Sequence, residues 1–124
     1  CAGGGGVPVY QENQHYVGVE AVNDKDFAAK VLADNVQADR LIILTGVDNI
    51  YINYNQPDQQ ALKEITVEQA EQYIEEGHFA AGSMLPKIQA AIGFVNEDAS
   101  RTAIITSIEN LAVLDQQVGT ILRK

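Results

Sequence analysis

The hydrophobic positions of this 124-residue chain change their spacing along the sequence, and each spacing predicts a different element. From 27 to 36 they recur every three or four residues, which predicts a helix that is capped by Asp24 and ends near Gln37. The segment 41–44 is continuously aliphatic, which is typical of a strand buried on both faces at the centre of a sheet. A similar segment, 103–106, predicts a second buried strand.

Two further helices are indicated by the residues at their ends. Thr66 and Gln69 form a capping-box pattern, and the helix that follows should stop at Gly77. Ser83 opens another helix, which ends near Asn96. The shorter predicted segments are strands at 7–10, 51–54 and 119–122, an exposed loop at 11–16 and a short helix at 108–115. Strands that alternate with helices predict an α/β fold with a mostly parallel sheet.

Composition and charge exclude several classes of partner. The chain has 46% hydrophobic and 20% charged residues, which is ordinary for a globular domain. Eight Lys and Arg against 17 Asp and Glu give a net charge of −9, so the surface repels phosphate and no nucleic-acid partner is expected. The aliphatic segment 41–44 is far shorter than the ~20 residues of a membrane span, so no membrane contact is expected.

Residues suited to metal or redox chemistry are scarce. Cys1 is the single cysteine and cannot form an internal disulfide, and His15 and His78 without a cysteine pair do not predict a zinc site. We therefore expect no metal site made by the chain itself. His78 follows Gly77 at a helix end, where its ring is expected to cap carbonyl groups. No signal-peptide pattern is present at the N-terminus, and a cytoplasmic setting is expected.

Two of the five lysines occupy unfavourable positions at the starts of helices. Lys25 follows Asp24, and Lys87 lies in the first turn of the helix opened by Ser83, whereas the positive end of the helix dipole favours anions. A bound phosphate would reconcile both positions. The alternative is that Lys25 lies between Asp24 and Asp26 and that Lys87 is a solvated helix residue. The dipole also predicts that replacing Lys87 with alanine barely changes stability or raises it slightly.

Three other features are weaker signals. Asp24 and Asp26 could hold Mg²⁺ through one or two carboxylates while the ion stays on substrate phosphates. The glycines at 3–6 match neither a P-loop nor a dinucleotide fingerprint. Tyr51 and Tyr54 could stack on a purine, although aromatic residues at the end of a strand are more often part of the core or its rim.

Three motifs, taken together, resemble one known family. They are GVEAVNDKDFA at 18–28, the segment from LT at 44–45 to NY at 53–54, and EEGHFAAGSMLPK at 75–87. In this order and spacing they resemble the carbamate kinases, members of the amino-acid-kinase superfamily, and the match extends from Gly3 to 121. The resemblance implies a three-layer α/β/α fold. It also implies that residues 1–124 are one unit, the C-terminal, nucleotide-binding part of a longer kinase whose N-terminal, acceptor-binding half is missing.

The resemblance also implies roles for individual residues. Lys25 and Lys87 are implied to contact the transferring phosphoryl group, and Asp26 is implied to hold these catalytic lysines in place. Gly4 and Gly5 are implied to form a loop on the substrate side. The implied nucleotide-binding residues are Asp24, Lys25, Thr45, Gly46, Val47, Tyr51, Gly82, Ser83, Met84 and Lys87. Asn23 departs from the aliphatic residue expected before Asp-Lys-Asp, and Gly46 stands where relatives vary; neither removes a catalytic group.

The activity implied for the longer protein is reversible phosphoryl transfer between ATP and carbamate. In fermentative arginine catabolism this reaction makes ATP from carbamoyl phosphate and ADP, with Mg²⁺ bound to the nucleotide, in a protein implied to be a homodimer. The 124-residue chain alone is expected to be inactive because the acceptor side of the site is missing. Two alternatives stay open: another phosphotransferase of the superfamily that acts on a different acceptor, and a nucleotide-binding module without catalysis.

Overall fold

The computed structural model describes residues 4–116 and 118–124, so Cys1 and Gly3 lie outside the described residues. The strands are β1 (Val9–Glu12), β2 (His15–Gly18), β3 (Arg40–Thr45), β4 (Ile50–Ile52), β5 (Gln60–Leu62), β6 (Glu64–Thr66), β7 (Thr102–Ser107) and β8 (Thr120–Arg123). The α-helices are α1 (Lys25–Asn35), α2 (Val67–Glu75) and α3 (Met84–Glu97), and a 3-10 helix (Glu109–Gln116) is kinked at Val113. None of the helices in the described part of the chain is long and apolar enough to cross a membrane.

The main sheet has four strands in the order β3-β7-β8-β6. β3 pairs with β7 in parallel and β6 pairs with β8 in parallel, whereas β7 and β8 are antiparallel. The α/β class with a mostly parallel sheet is therefore confirmed. Two separate hairpins, β1-β2 and β4-β5, complete the strands of the described residues.

The central position predicted for the aliphatic strand at 41–44 is wrong. Among the described strands, β3 has a neighbour on one side only, and its side chains alternate between buried and exposed positions. Leu41 and Ile43 face the core, while Ile42 on the opposite face is 37% exposed. The strand buried on both faces is β7, because β3 and β8 flank it and its residues from 103 to 107 are all buried.

The helices begin as their capping residues predict and pack side by side on one face of the sheet. A side-chain oxygen of Asp24 accepts a hydrogen bond from the backbone amide of Asp26, and the capping box at the start of α2 is complete. Helix α3 contacts both α1 and α2 and also β7. Its residues Ile88, Phe94 and Val95 are fully buried, so α3 is the central helix of the layer.

Several local predictions differ from the structure. The exposed loop predicted at 11–16 is instead the end of the β1-β2 hairpin. Only Asn13 and Gln14, which both have positive φ, form its two-residue turn, and the residues on either side belong to the strands. The strand predicted at 51–54 is β4, which ends at Ile52 because Asn53 has a φ of 52°. Strands β5 and β6 were not predicted. They are three residues each, too short to show a periodicity.

Candidate active site

The first turns of α1 and α3 meet at a buried carboxylate. Asp26 is 4% exposed, and each of its carboxylate oxygens accepts a hydrogen bond from a lysine. Lys25 Nζ donates to Oδ1 at 2.9 Å, and Lys87 Nζ donates to Oδ2 at 2.7 Å. The side chain of Lys87 is 12% exposed and that of Lys25 is 48% exposed. The structure thus brings together the three residues implied to be catalytic, and Lys87 is a buried ion-pair partner rather than a solvated helix residue.

The electrostatics of this cluster follow from its burial and its pairing. Burial acts to raise the pKa of Asp26, but the hydrogen bonds and charges of Lys87 and Lys25 outweigh it and hold that pKa below its usual value. The hydrogen bond to Asp26 raises the pKa of Lys25, against a smaller opposing effect of burial. The charge of Asp24 also raises the pKa of Lys25, so the two lysines of the cluster lie near two carboxylates.

A cavity of about 590 Å³ lies beside this cluster, between the carboxyl end of β3, the β4-β5 hairpin and the start of α3. Six residues of the implied nucleotide site line it: Thr45, Gly46, Val47, Tyr51, Ser83 and Met84. Tyr54, which the sequence offered with Tyr51 as a residue that could stack on a purine, also lines it. Sequence reasoning did not assign the six others, which are Asn53, Gln56, Gly77, His78, Phe79 and Ala80. In parallel α/β sheets, ligands bind at the carboxyl ends of the strands, and this cavity has that position.

Four implied nucleotide-binding residues lie outside the lining of the cavity: Asp24, Lys25, Gly82 and Lys87. The Asp24 side chain caps α1 instead. Lys87 lies one turn along α3 from Ser83, so one helix turn connects the cavity to the lysine cluster. That turn has no acidic residue, and Ser83 makes no side-chain capping bond. The amide of Leu85 donates to the carbonyl of Ala80, and Pro86 has no amide hydrogen, so it is the helix dipole that favours an anion there.

The cavity wall contains a pair of tyrosine rings and the ring of His78. The rings of Tyr51 and Tyr54 are 5.8 Å apart and both line the cavity. The expected carbonyl-capping role of the His78 ring is wrong. Its Nε2 lies 3.1 Å from Glu76 Oε2, and the ring packs edge-on against Tyr73, whereas it is the backbone amide of His78 that donates to a helix carbonyl.

The glycine loop approaches the start of α1 from the other side. A Cβ on Gly5 would overlap the carbonyl oxygen of Asn23, the residue before Asp24, whereas a Cβ on Gly4 would have no atom within 4 Å. Of these two glycines, Gly5 is therefore the one that close approach requires. The contact places the loop next to the segment that carries Lys25, which agrees with a loop on the substrate side.

The chain itself offers little for direct metal binding. In residues 4–116 and 118–124, no group of three or more His, Cys, Asp or Glu side chains could hold a metal ion. Both oxygens of Asp26 already accept hydrogen bonds from lysines. Asp24 accepts a bond through Oδ1 only, so its second oxygen is the remaining carboxylate ligand near the cluster.

Comparison with known proteins agrees with this geometry. The model of the amino acid kinase family matches residues 2–107, and the chain belongs to that family. Among its relatives is carbamate kinase 2 of Enterococcus faecalis, 71% identical over 122 residues that make up 98% of this chain and 39% of the relative. The carbamate kinase of Oenococcus oeni is 56% identical over 98% of this chain and 39% of its own length. The chain thus spans about two fifths of the curated relatives it matches.

A solved structure has the same fold. Carbamate kinase from Giardia lamblia bound to AMP-PNP superimposes with a TM-score of 0.88 at 43% identity, over 97% of this chain and 42% of that chain. These matches confirm the resemblance to carbamate kinases and the predicted amino-acid-kinase fold.

Proposed function

We propose that this chain forms the nucleotide site of a carbamate kinase, which catalyses reversible phosphoryl transfer between ATP and carbamate. The observation that carries the proposal is the pairing of Lys25 and Lys87 on buried Asp26, one helix turn from a cavity at the carboxyl end of β3. Similarity to carbamate kinases over 98% of the chain supports the choice of reaction. In arginine catabolism the reaction would run toward ATP, from carbamoyl phosphate and ADP.

The cavity would take the adenine and ribose of the nucleotide. Its volume of about 590 Å³ is within the ~300–1,000 Å³ of typical ligand pockets. Tyr51, Tyr54 and Met84 offer flat or polarisable surfaces to a purine ring, and Thr45 and Ser83 offer hydroxyl groups to the sugar. The phosphates would then extend along the start of α3, where the helix dipole favours negative charge.

The lysines would act by position and charge. Phosphoryl transfer spreads negative charge over the equatorial oxygens in its transition state, so catalysis needs cations placed in advance. Lys87 is fixed by burial and by its bond to Asp26, and Lys25 is more exposed and free to reach the transferring group. Asp26 would orient both amines, while Gly4 and Gly5 would approach the acceptor.

Mg²⁺ would enter with the nucleotide. The absence of a three-residue ligand cluster in the described part of the chain suits a cation that keeps most of its waters and binds one carboxylate at most. Asp24 is the residue that would contact it. When bound to ATP or ADP, the ion would bridge phosphate oxygens and neutralise part of their charge.

The 124-residue chain should bind nucleotide weakly and not turn it over. It spans about two fifths of the length of its relatives. For the longer protein we propose an acceptor-binding half, homodimer contacts and a cytoplasmic setting. A misplacement of ~1 Å can cost ~100-fold in rate, so an incomplete acceptor site should abolish measurable turnover. This short span favours nucleotide binding without catalysis as the second candidate function. A related phosphotransferase would use the same lysines on another acceptor.

Binding of AMP-PNP, followed by amide chemical shifts of the 124-residue chain, tests the nucleotide site. Tyr54→Ala should weaken binding, because the ring lines the cavity, while the control Tyr10→Ala should not, because Tyr10 is a half-exposed residue of β1. Folded protein that shows no shift changes at millimolar AMP-PNP would contradict the assignment. In a coupled assay, ATP formation from carbamoyl phosphate and ADP by this chain alone would overturn the expected inactivity.

A further inference from the structure

The loop at residues 46–49, which connects β3 to β4, is tied to the end of β7 through Asp48. Ser107 Oγ donates a hydrogen bond to Asp48 Oδ1 at 2.6 Å, and Asn110 Nδ2 donates to the same oxygen at 3.2 Å. Thr106 Oγ1 donates to the backbone carbonyl of Asp48 at 3.2 Å. Three donors from β7 and the following 3-10 helix therefore converge on one loop residue.

The donors are held firmly in the fold. Thr106 is fully buried and Ser107 is 2% exposed. Asn110 Nδ2 also donates to Thr106 Oγ1 at 3.1 Å, so the donors are linked to one another. Because β3 and β7 are parallel neighbours with Thr45 opposite Ser107, the carboxyl ends of both strands lie together at this edge. Asp48 is exposed, so these contacts fix a surface loop and do not build the core.

The same loop is a wall of the cavity. Gly46 and Val47 line it, and a Cβ on Gly46 would have no atom within 4 Å. Packing therefore contributes little to the position of the loop at Gly46. The polar contacts of Asp48, two residues farther on, tie the loop to the end of β7, and Asn49 Nδ2 ties its last residue to β5 by donating to the carbonyl of Leu62 at 3.2 Å.

We propose that Asp48 is a positioning residue for the nucleotide: it holds the loop 46–49 in the conformation that contacts the base and ribose. The inference rests on the proposed nucleotide site. Fixing the backbone of a residue costs conformational entropy, and the bonds of Asp48 meet that cost before the ligand arrives. Without them, the nucleotide must order the loop itself and binds more weakly.

The test compares Asp48→Ala with Asp98→Ala in the 124-residue chain. Asp98 is a matched control because its Oδ1 also accepts two hydrogen bonds, from the backbone amide and the hydroxyl of Ser100, both at 2.8 Å, but at the opposite end of β7. AMP-PNP affinity should fall about 10-fold in Asp48→Ala, the effect of losing preorganisation of about one residue. The affinity of Asp98→Ala should stay within about twofold of the wild type.

Two further measurements separate positioning from a general loss of stability. Amide hydrogen exchange at residues 46–49 should accelerate in Asp48→Ala without nucleotide and slow again when AMP-PNP is added. Ser107→Ala should also weaken binding, and the double variant with Asp48→Ala should be no weaker than Asp48→Ala alone, because both changes break the same bond. If Asp48→Ala fails to fold, Ser107→Ala alone carries the test, because it removes the shorter of the two hydrogen bonds to Asp48 Oδ1, and wild-type affinity in that variant would overturn the positioning role.

The outcomes distinguish this inference from the proposed function. Wild-type affinity in Asp48→Ala, or unchanged exchange at residues 46–49, would overturn the positioning role and leave the nucleotide site standing. Additive losses in the double variant would also overturn it. A wild-type chain that does not bind AMP-PNP would refute the nucleotide site itself, and the role of Asp48 with it.

Discussion

Replacing Lys87 with alanine should destabilise the chain, although the residue lies at the positive end of a helix. Lys87 Nζ is 2.7 Å from Asp26 Oδ2, and the two side chains are 12% and 6% exposed. Removal of one partner from a buried ion pair typically costs about 3–5 kcal/mol, because the remaining charge stays buried. This corrects the expectation from the helix dipole alone, which was little change or a slight gain.

Two effects reduce the cost. Lys25 still donates to the other oxygen of Asp26, and α3 is relieved of an unfavourable charge worth about 0.3–1 kcal/mol. We therefore expect a net loss of about 1–3 kcal/mol in the free energy of unfolding. With a slope of about 2 kcal/mol per M urea, the midpoint of urea unfolding at pH 7 should fall by about 0.5–1.5 M. Lys25→Ala is the control, since that side chain is 48% exposed and its loss should cost about 0–1 kcal/mol.

The pH dependence gives a second test of the same pairing. The folded-state pKa of Asp26 is lowered, so its stabilising contribution is present above the pKa of an unfolded Asp, about 3.9, and is lost as pH falls through the folded-state pKa. Lys87→Ala removes part of that lowering, and its deficit relative to the wild type should shrink between about pH 5 and pH 3. A variant as stable as the wild type at pH 7, or a deficit that stays constant in acid, would refute the reasoning.

Three other substitutions test the backbone. Gly119→Ala should lower the free energy of unfolding by about 2–4 kcal/mol and the melting temperature by about 10 °C. The reason is that Gly119 has a φ of 84° and that a Cβ there would lie 2.6 Å from a side-chain atom of β7. Gly18→Ala is the control, because a Cβ on Gly18 would have no atom within 4 Å. Gly5→Ala should shift the amide resonances at the start of α1, whereas Gly4→Ala should leave them in place. Thr66→Ala should cost about 1 kcal/mol in urea unfolding by breaking the capping box, with Thr66→Ser close to wild type.

Local signals explain which parts of the fold were predictable. The cap at Asp24 and the capping box at Thr66 depend on residues close in sequence, and both helices begin where predicted. The edge position of β3 depends on which strands lie beside it, and no local pattern encodes that. A continuous aliphatic segment is compatible with a central strand and also with an edge strand in which Ile42 is partly exposed. The β1-β2 hairpin was missed because Asn13 and Gln14 adopt positive φ without a glycine.

The pairing of Lys25 and Lys87 with Asp26 was implied by the resemblance and not by any local pattern. The hydrogen bond between Asp26 and Lys87 joins residues 61 positions apart, a distance over which helix periodicity and capping carry no signal. The cavity residues that were missed, such as Gln56 and His78, lie in connections between elements. Their side chains reach the cavity because of the path of the chain, and composition or periodicity carries no signal for that path.

Two lysines lie at the starts of helices, where the helix dipole disfavours positive charge, and the protein itself partly compensates for this. Helix dipoles indicated an anion near Lys25 and Lys87, and Asp26 is such an anion for both. The charge of Asp24 also acts on Lys25, so two carboxylates accompany the two amines. The first turn of α3 nevertheless has no acidic residue and no side-chain cap, although the amide of Leu85 already donates to the carbonyl of Ala80 and Pro86 has no amide hydrogen. The dipole of α3 is therefore what remains to attract an anion beside the cavity wall at Ser83 and Met84. The phosphates of the proposed nucleotide would meet that dipole, whereas an uncharged molecule of the same size would not.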